Sequence, residues 1–394
     1  MHVNDMPAGP VYLDNAATTF PKPVSVLEKA METYRRIGVS PGRGGYDLAA
    51  EAEEFVRETR RKAARFFGSS APDRVIFTGN ATDALNIAIQ GMLHPGDHVV
   101  STRLEHNSVL RPLYHLRQKR IIEYDLVPFD GKGFVDPADI IAAIRPDTKL
   151  VVVTHASNVL GTVQPIREIG RRCAEHGVPL LVDAAQSAGA VPIDVDGWQV
   201  AALAFTGHKS MLAPTGIGGI VLAGQTEDIE PSRFGGTGID SASPVHTRDF
   251  PYRLEAGTLN LLGIIGLSGS LDYLGEAGIE AVHAREMELV TKLRDGLSLI
   301  TGIDLYCAED LSDHVALLTA NVRGMDPHDV GAILDADFNI AVRTGVHCAP
   351  LVHESLDTSP GGSVRFSVGP FNTGSDIDLT LEAMKEIARH GGKG

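Results

Sequence analysis

Two short segments carry the reactive side chains of this chain. Segment 203–210 (LAFTGHKS) sets Lys209 just past an apolar, strand-like run. Segment 343–349 (RTGVHCA) sets Cys348 in a short loop with glycine and histidine. A primary amine can condense with a carbonyl to give a Schiff base, and a thiolate can attack sulfur. Taken singly, a lysine after a strand is a solvated surface group, and a buried cysteine is inert packing. Here both sit among small and polar residues, which points to carbonyl chemistry joined to sulfur chemistry. A thiol in such a loop is reachable, and His347 could help stabilise its thiolate. Cys173, in a helical pattern, and Cys307, after the apolar run 303–306, read as packing cysteines.

Other residues fill in the same chemistry. Asp183 ends the apolar run in segment 180–186 (LLVDAAQ). A carboxylate at the end of a buried strand needs a cationic partner. A pyridinium nitrogen is one: an Asp beside it keeps the ring protonated and able to accept electrons from a carbanion. Alone, Asp183 reads equally well as a helix N-cap. Lys209 follows it by 26 residues, beyond another strand, and the pair points to pyridoxal 5′-phosphate. Segment 77–86 (FTGNATDALN) is a strand, a turn and a helix start. The free backbone N–H groups there and the Thr82 hydroxyl suit a phosphate, or else Thr78 or Thr82 is simply an N-cap. His106, in segment 104–109 (LEHNSV), could stack on a pyridine ring or cap a helix. Arg365 alternates with apolar Val364 and Phe366 in a strand. It suits bidentate binding of an amino-acid carboxylate, or a structural ion pair. Neither GxGxxG nor GxxxxGK[ST] occurs, which disfavours dinucleotide and P-loop sites.

The elements that must hold these residues follow from hydrophobic pattern. Residues 24–37 and 49–67 read as amphipathic helices. Apolar runs at 74–78, 98–101, 149–154, 179–183, 200–205 and 217–223 alternate with helical segments, as buried, mostly parallel strands do. After residue 260 the strand-like runs 303–306, 315–322, 340–343 and 363–368 mix with helices near 327–336 and 376–390, a smaller α+β unit. The glycine-rich stretches 40–45 and 235–238 read as functional loops. At 394 residues two domains are expected. The net charge of −15 argues against a broad nucleic-acid surface. No apolar run reaches a membrane span, and residues 1–7 lack the regions of a signal peptide, so a cytoplasmic protein is expected. Three scattered cysteines make no disulfide framework, and no zinc-site spacing is present.

Taken together, from segment 12–19 (YLDNAATT) to 371–373 (FNT), the chain resembles the class V aminotransferases of the fold-type-I pyridoxal-phosphate enzymes. Within them it is similar to the cysteine desulfurases and selenocysteine lyases. The short loop at Cys348 resembles the group II enzymes, and segments 40–45 and 350–353 resemble a cysteine desulfurase-like branch. The resemblance implies a large domain, 24–260, with a mostly parallel seven-stranded sheet, and a small α+β domain of 1–23 and 261–394 carrying the Cys348 loop. It implies a Schiff base on Lys209, Asp183 at the pyridine nitrogen, Gln186 at the ring phenolate and His106 stacked on the ring. Ala81, Thr82, Thr206 and His208 would hold the phosphate. Thr258 would reach the phosphate of a second subunit, so a homodimer is implied. Asn158, Arg365 and Ala16 would bind substrate. The implied reaction takes L-cysteine to L-alanine and leaves a persulfide on Cys348 for an acceptor protein. Cleavage of L-selenocysteine to alanine and selenide is the alternative. Transamination, C–S lysis without a persulfide and a non-catalytic scaffold stand further off.

Overall fold

Why the chemistry-bearing residues meet follows from the strands they terminate. The computed structural model describes residues 9–42, 44–224, 226, 229–239 and 242–391. The segment 1–7 and Arg43 of the stretch 40–45 lie outside the described residues. The main sheet has seven strands: β2 (Val75–Thr78), β3 (Asp97–Thr102), β4 (Ile122–Val127), β5 (Thr148–Thr154), β6 (Leu180–Asp183), β7 (Ala202–Thr206) and β8 (Gly218–Leu222). Their order is β2-β8-β7-β6-β5-β3-β4. Every pair is parallel except those of β8, which runs antiparallel to β2 and β7. The inner strands β6, β7 and β8 are buried at every residue, as strands covered on both faces must be. Two apolar clusters fill the two faces.

Helices α1 (Val24–Ile37), α2 (Asp47–Phe66), α3 (Ala81–Met92), α4 (Asn107–Gln118), α5 (Pro137–Ala142), α6 (Ile166–Glu175) and α7 (Leu261–Ala277) surround this sheet. The remaining helices are α8 (Ile279–Ser298), α9 (Pro327–Phe338), α10 (Pro350–Ser355) and α11 (Gly374–Gly391). No helix among the described residues is long and apolar enough to cross a membrane. A second sheet, order β12-β13-β10-β9, joins β9 (Ile303–Leu305), β10 (Leu317–Val322), β12 (Arg343–Gly345) and β13 (Ser363–Ser367) antiparallel. β1 (Val11–Tyr12) pairs with β11 (Ile340–Ala341) beside it. A separate cluster from α8, α9, α11 and these strands forms the core there. Leu261, Ile264 and Leu271 of α7 belong to a core of the main sheet, so the break expected at 260/261 precedes a helix whose apolar face packs there.

Two sequence readings differ from the structure. The edge strand β4 has no continuous apolar run, because Glu123 and Asp125 are both exposed at its solvated edge. The expected strand 340–343 is two short strands, β11 and β12, bound to different partners. Close approach explains part of that geometry. Gly362 has φ +80°, and a Cβ there would lie 2.1 Å from the carbonyl carbon of Gly345.

One buried group stands apart from the reactive cleft. Glu286 of α8 is 6% exposed and makes no hydrogen bond or ion pair among the described residues. It lines a small void with Asn15, Thr19, Ser210 and Ser367. Burial pushes its carboxyl up to about 8. The raised value means the folded state holds the neutral acid, and stability falls as pH rises from about 4.5 to about 8. Glu286→Gln removes that ionisation. Denaturant unfolding should show the variant gaining on the parent by roughly 2–3 kcal/mol between pH 5 and pH 8. A difference that stays flat with pH would mean the carboxylate has a compensating partner.

Candidate active site

The carboxyl ends of β3, β5, β6 and β7 open on one cleft, the usual site in a sheet of parallel strands. It has an empty volume of about 480 Å3. Ala81, Thr82, His106, Asn158, Asp183, Gln186, Thr206, His208 and Lys209 line it, nine of the residues singled out in the sequence.

The turn after β7 fixes Lys209. The His208 carbonyl accepts the Thr19 amide (3.1 Å), the Thr18 hydroxyl (3.0 Å) and the Lys22 ammonium. The amides of Leu212 and Ala213 fold back on Lys209 and Gly207 (2.8 Å each). Lys209 keeps part of its surface open to the cleft, yet its ammonium is surrounded by protein. Burial pulls it down to about 8. The Arg365 and Arg343 charges add to that, and Asp183 opposes it. Asp183 is 3% exposed, and burial raises its carboxyl. Its carboxylate accepts the Ala185 amide at 2.9 Å.

At the other end lies the start of α3. Its N-cap is Asn80, whose side chain accepts the Asp83 amide at 2.9 Å. Neither Thr78 nor Thr82 caps it, so that expectation is corrected. Thr82 instead meets the Ser108 hydroxyl at 2.6 Å. The buried Thr206 Oγ1 and His208 Nδ1 have no hydrogen-bond partner among the described residues. His106 caps α4, as one of its readings had it, and its side also lines the cleft. Its Nδ1 accepts the Ser108 amide at 3.0 Å, which leaves the ring proton on Nε2. Burial, helped by Lys209, Arg343, Arg365 and Arg111, pulls it down to about 4, so the ring is neutral at pH 7. Beside it Glu105 is fully buried and pushed up to about 8. One oxygen joins Thr102 of β3 (2.7 Å) to the Thr154 amide of β5 (2.9 Å).

Four expected residues stand outside the cleft lining. Arg365 is 1% exposed and lies behind Asn158. It donates to the Asn158 carbonyl at 2.9 Å and to Asp14 Oδ1 at 2.8 Å, and its Nε has no partner. The Ala16 carbonyl accepts the Gln186 side-chain amide at 3.0 Å. Thr258 is exposed. It follows Glu255, which is locked by a buried bidentate pair with Arg60 (2.8 and 2.6 Å). Cys348 faces an adjoining hollow that shares Thr82, His106 and Ser108 with the cleft.

The Cys348 loop corrects one reading. His347 does not attend the thiol: its Nε2 is bound to Ser363 (3.1 and 3.2 Å), and burial pulls it down to about 2. The cation at the thiol is Arg343, whose guanidinium lies 3.6 Å from Sγ. His347 and Cys348 have φ +49° and +59°, left-handed values that a non-glycine residue holds only under restraint. Asn158 Nδ2 binds the His347 carbonyl (2.6 Å), and the Asn107 amide binds the Cys348 carbonyl (2.7 Å). Arg343, Asn80, Glu105 and Ser108 lay inside the motifs already singled out, but nothing in their spacing told what they would touch. Cys307 donates to the Gly131 carbonyl at 3.5 Å, and burial pushes the Cys173 thiol up to about 12.

The charge arrangement makes a testable statement about the protein without ligand. Competitive acetylation should titrate Lys209 near pH 8 rather than 10.5. In Asp183→Asn the midpoint should drop further, since Asp183 favours the ammonium. A Lys209 that titrates like surface lysines would refute this electrostatic account.

Comparison with known proteins agrees with this geometry. The aminotransferase class-V family matches residues 11–380. A relative from Methanothermobacter thermautotrophicus, named probable cysteine desulfurase, is 39% identical over 97% of this chain and 95% of its own. One of the same name from Halalkalibacterium halodurans is 36% identical over 96% of this chain and 94% of its own. Among solved structures, the apo cysteine desulfurase of Thermococcus onnurineus superposes with a TM-score of 0.90 at 33% identity, covering 97% of this chain and 95% of that one. Matched along nearly its whole length, the chain belongs to the aminotransferase class-V family.

Proposed function

We propose that this enzyme is a pyridoxal 5′-phosphate-dependent cysteine desulfurase, which converts L-cysteine to L-alanine and leaves the sulfur as a persulfide on Cys348. The observation that carries the reading is one of placement. A buried lysine and a loop cysteine stand on two sides of His106, and Arg343 lies 3.6 Å from the thiol. The names of the relatives favour sulfur over selenium as the element handled.

The residues present fit the cofactor. Thr206 Oγ1 and His208 Nδ1 are buried without partners near the N-terminus of α3, as a phosphate site requires. Ala81 and Thr82 would supply backbone N–H groups to the same phosphate. Asp183 is a buried carboxylate with no hydrogen-bonded cation, suited to a protonated pyridine nitrogen. Gln186 would donate to the ring oxygen, and neutral His106 would lie against the ring face. Bound there, the cofactor supplies an electron sink for negative charge at the substrate Cα.

The chain's own residues do the rest. Arg365, with its free Nε, and Asn158 would hold the substrate carboxylate near Ala16. Lys209, pulled down to about 8, can give up a proton at neutral pH and so take one from the substrate Cα. The Arg343 guanidinium favours the thiolate form of Cys348. That sulfur attacks the substrate sulfur: the S–S bond forms as the substrate Cβ–S bond breaks. Protonation at Cβ, followed by return of the Cα proton from Lys209, completes alanine. A sulfur-acceptor protein then takes the outer sulfur. Thr258, exposed beside the anchored Glu255, would reach the phosphate of a second copy in a homodimer. The division into 24–260 and 1–23 with 261–394 is part of the same reading, supported by the separate core under the second sheet.

Cys348→Ala should keep the cofactor's visible absorbance and lose alanine formation from L-cysteine by about 100-fold or more. Normal turnover by that variant would end the persulfide reading. Thr206→Val should weaken cofactor binding by about tenfold, read by equilibrium titration, since it removes one buried donor to phosphate.

A further inference from the structure

The end of the cleft assigned to a phosphate has no cation of its own among the described residues. A phosphate monoester carries about two negative charges at pH 7. Thr82 and Thr206 bring hydroxyls to it. Burial first, then Lys209 and Lys22, pull the His208 ring down to about 4, so that side chain is neutral as well. Lys209 is the one cation among the described residues that line the cleft, and its amine is committed to the cofactor's carbonyl. Arg233, near the start of α3, is exposed and already paired with Asp83 at 3.3 Å.

Lys22 lies behind this end of the cleft. It is half-buried between Pro21 and Pro23, and no carboxylate pairs with it among the described residues. Its ammonium donates to the His208 carbonyl, which also accepts the Thr19 amide (3.1 Å) and the Thr18 hydroxyl (3.0 Å). A carbonyl shared with two other donors is a weak partner for a full charge, and burying an ammonium is costly without an anion to offset it. Burial accordingly pulls Lys22 down to about 8. His208 offers its carbonyl to Lys22 and also lines the cleft, where its buried Nδ1 has no partner among the described residues. One residue therefore separates a cation that lacks an anion from a phosphate site that lacks a cation.

We propose that Lys22 is a positioning residue for the cofactor phosphate, supplying from behind the His208 turn the positive charge that the cleft lining lacks there. Lys22 is not part of that lining, so it acts through His208 rather than by touching the phosphate. Its charge reaches the His208 ring, and its bond holds the turn from which that ring and Lys209 extend. This role rests on the pyridoxal-phosphate reading of the cleft.

The test is equilibrium titration of the full chain, freed of cofactor, with two ligands. One is pyridoxal 5′-phosphate; the other is pyridoxal, which has the same ring and carbonyl and no phosphate. Lys22→Met should weaken binding of the phosphate ester about tenfold and leave pyridoxal within about twofold. Lys22→Arg keeps the charge and should stay within about threefold of the parent for both ligands. Equal weakening of the two ligands in Lys22→Met would overturn the proposal, because Lys22 would then serve only the turn that carries Lys209. Unchanged binding of the phosphate ester would overturn it as well. Should Lys22→Met fail to fold, the parent decides alone. Competitive acetylation should show the Lys22 midpoint rising from about 8 by about half a unit or more when inorganic phosphate is added, with exposed Lys149 unmoved. A Lys22 midpoint indifferent to phosphate would overturn the proposal. A parent that binds neither ligand would end the cofactor reading and this role with it, whereas the other failures sink this role alone.

Discussion

A single buried guanidinium joins the parts that the cleft depends on. Arg365 extends from the second sheet, meets Asp14 of the N-terminal segment and holds the carbonyl of Asn158 beyond β5. Asn158 in turn holds the carbonyl of His347. Three pieces of chain distant in sequence are thus fixed around one charge. A buried cation with one carboxylate partner is a weak source of net stability, but losing either partner leaves an uncompensated charge. Such a pair selects one arrangement of the two sheets over others, and the cleft exists only in that arrangement.

Charge distribution then sets the chemistry. Lys209, Arg343 and Arg365 converge on a region that holds the buried carboxyls of Asp183 and Glu105 and the Asp14 carboxylate paired with Arg365. Burial, with the neighbouring positive charges adding to it, lowers the proton affinity of His106 and Lys209. This setting keeps His106 neutral, brings Lys209 into the range where it can exchange protons near neutral pH, and favours an anionic substrate. Burial raises both carboxyls, and Asp183, which lines the cleft where Glu105 does not, is the candidate for the cleft's negative charge. The thiol has a different setting. It lies outside the cleft lining, on a loop whose backbone carbonyls are held by the Asn158 side chain and the Asn107 amide.

Much of this was legible in the chain. Asp183 and Lys209 end strongly apolar runs, and in a parallel sheet strand ends meet at one edge, so their convergence follows from pattern alone. The same logic found Thr82 and His106, whereas Ala81, Thr206 and His208 came from the family resemblance. It missed β4, whose outer edge faces water and so lacks an apolar run. It assigned His347 to the thiol because the two are adjacent. A left-handed turn sends adjacent side chains in unlike directions, and the cation at the sulfur is Arg343, five residues back. The N-cap of α3 fell to Asn80 rather than either threonine, since capping depends on where the helix starts to within one residue.

By itself, the sequence determined which side chains carry reactive groups and which strands are buried, because apolar periodicity and residue chemistry are local properties. Tertiary structure decided what those groups touch. Whether a lysine is a base at neutral pH, which cation attends a thiol and which imidazole nitrogen keeps its proton all depend on desolvation and on neighbours hundreds of residues away. Asp14 and Arg365 are 351 residues apart and 2.8 Å apart in space, and no local pattern encodes that contact. Burial at the junction of two sheets turns ordinary side chains into a tuned site, and burial is a property of the folded whole.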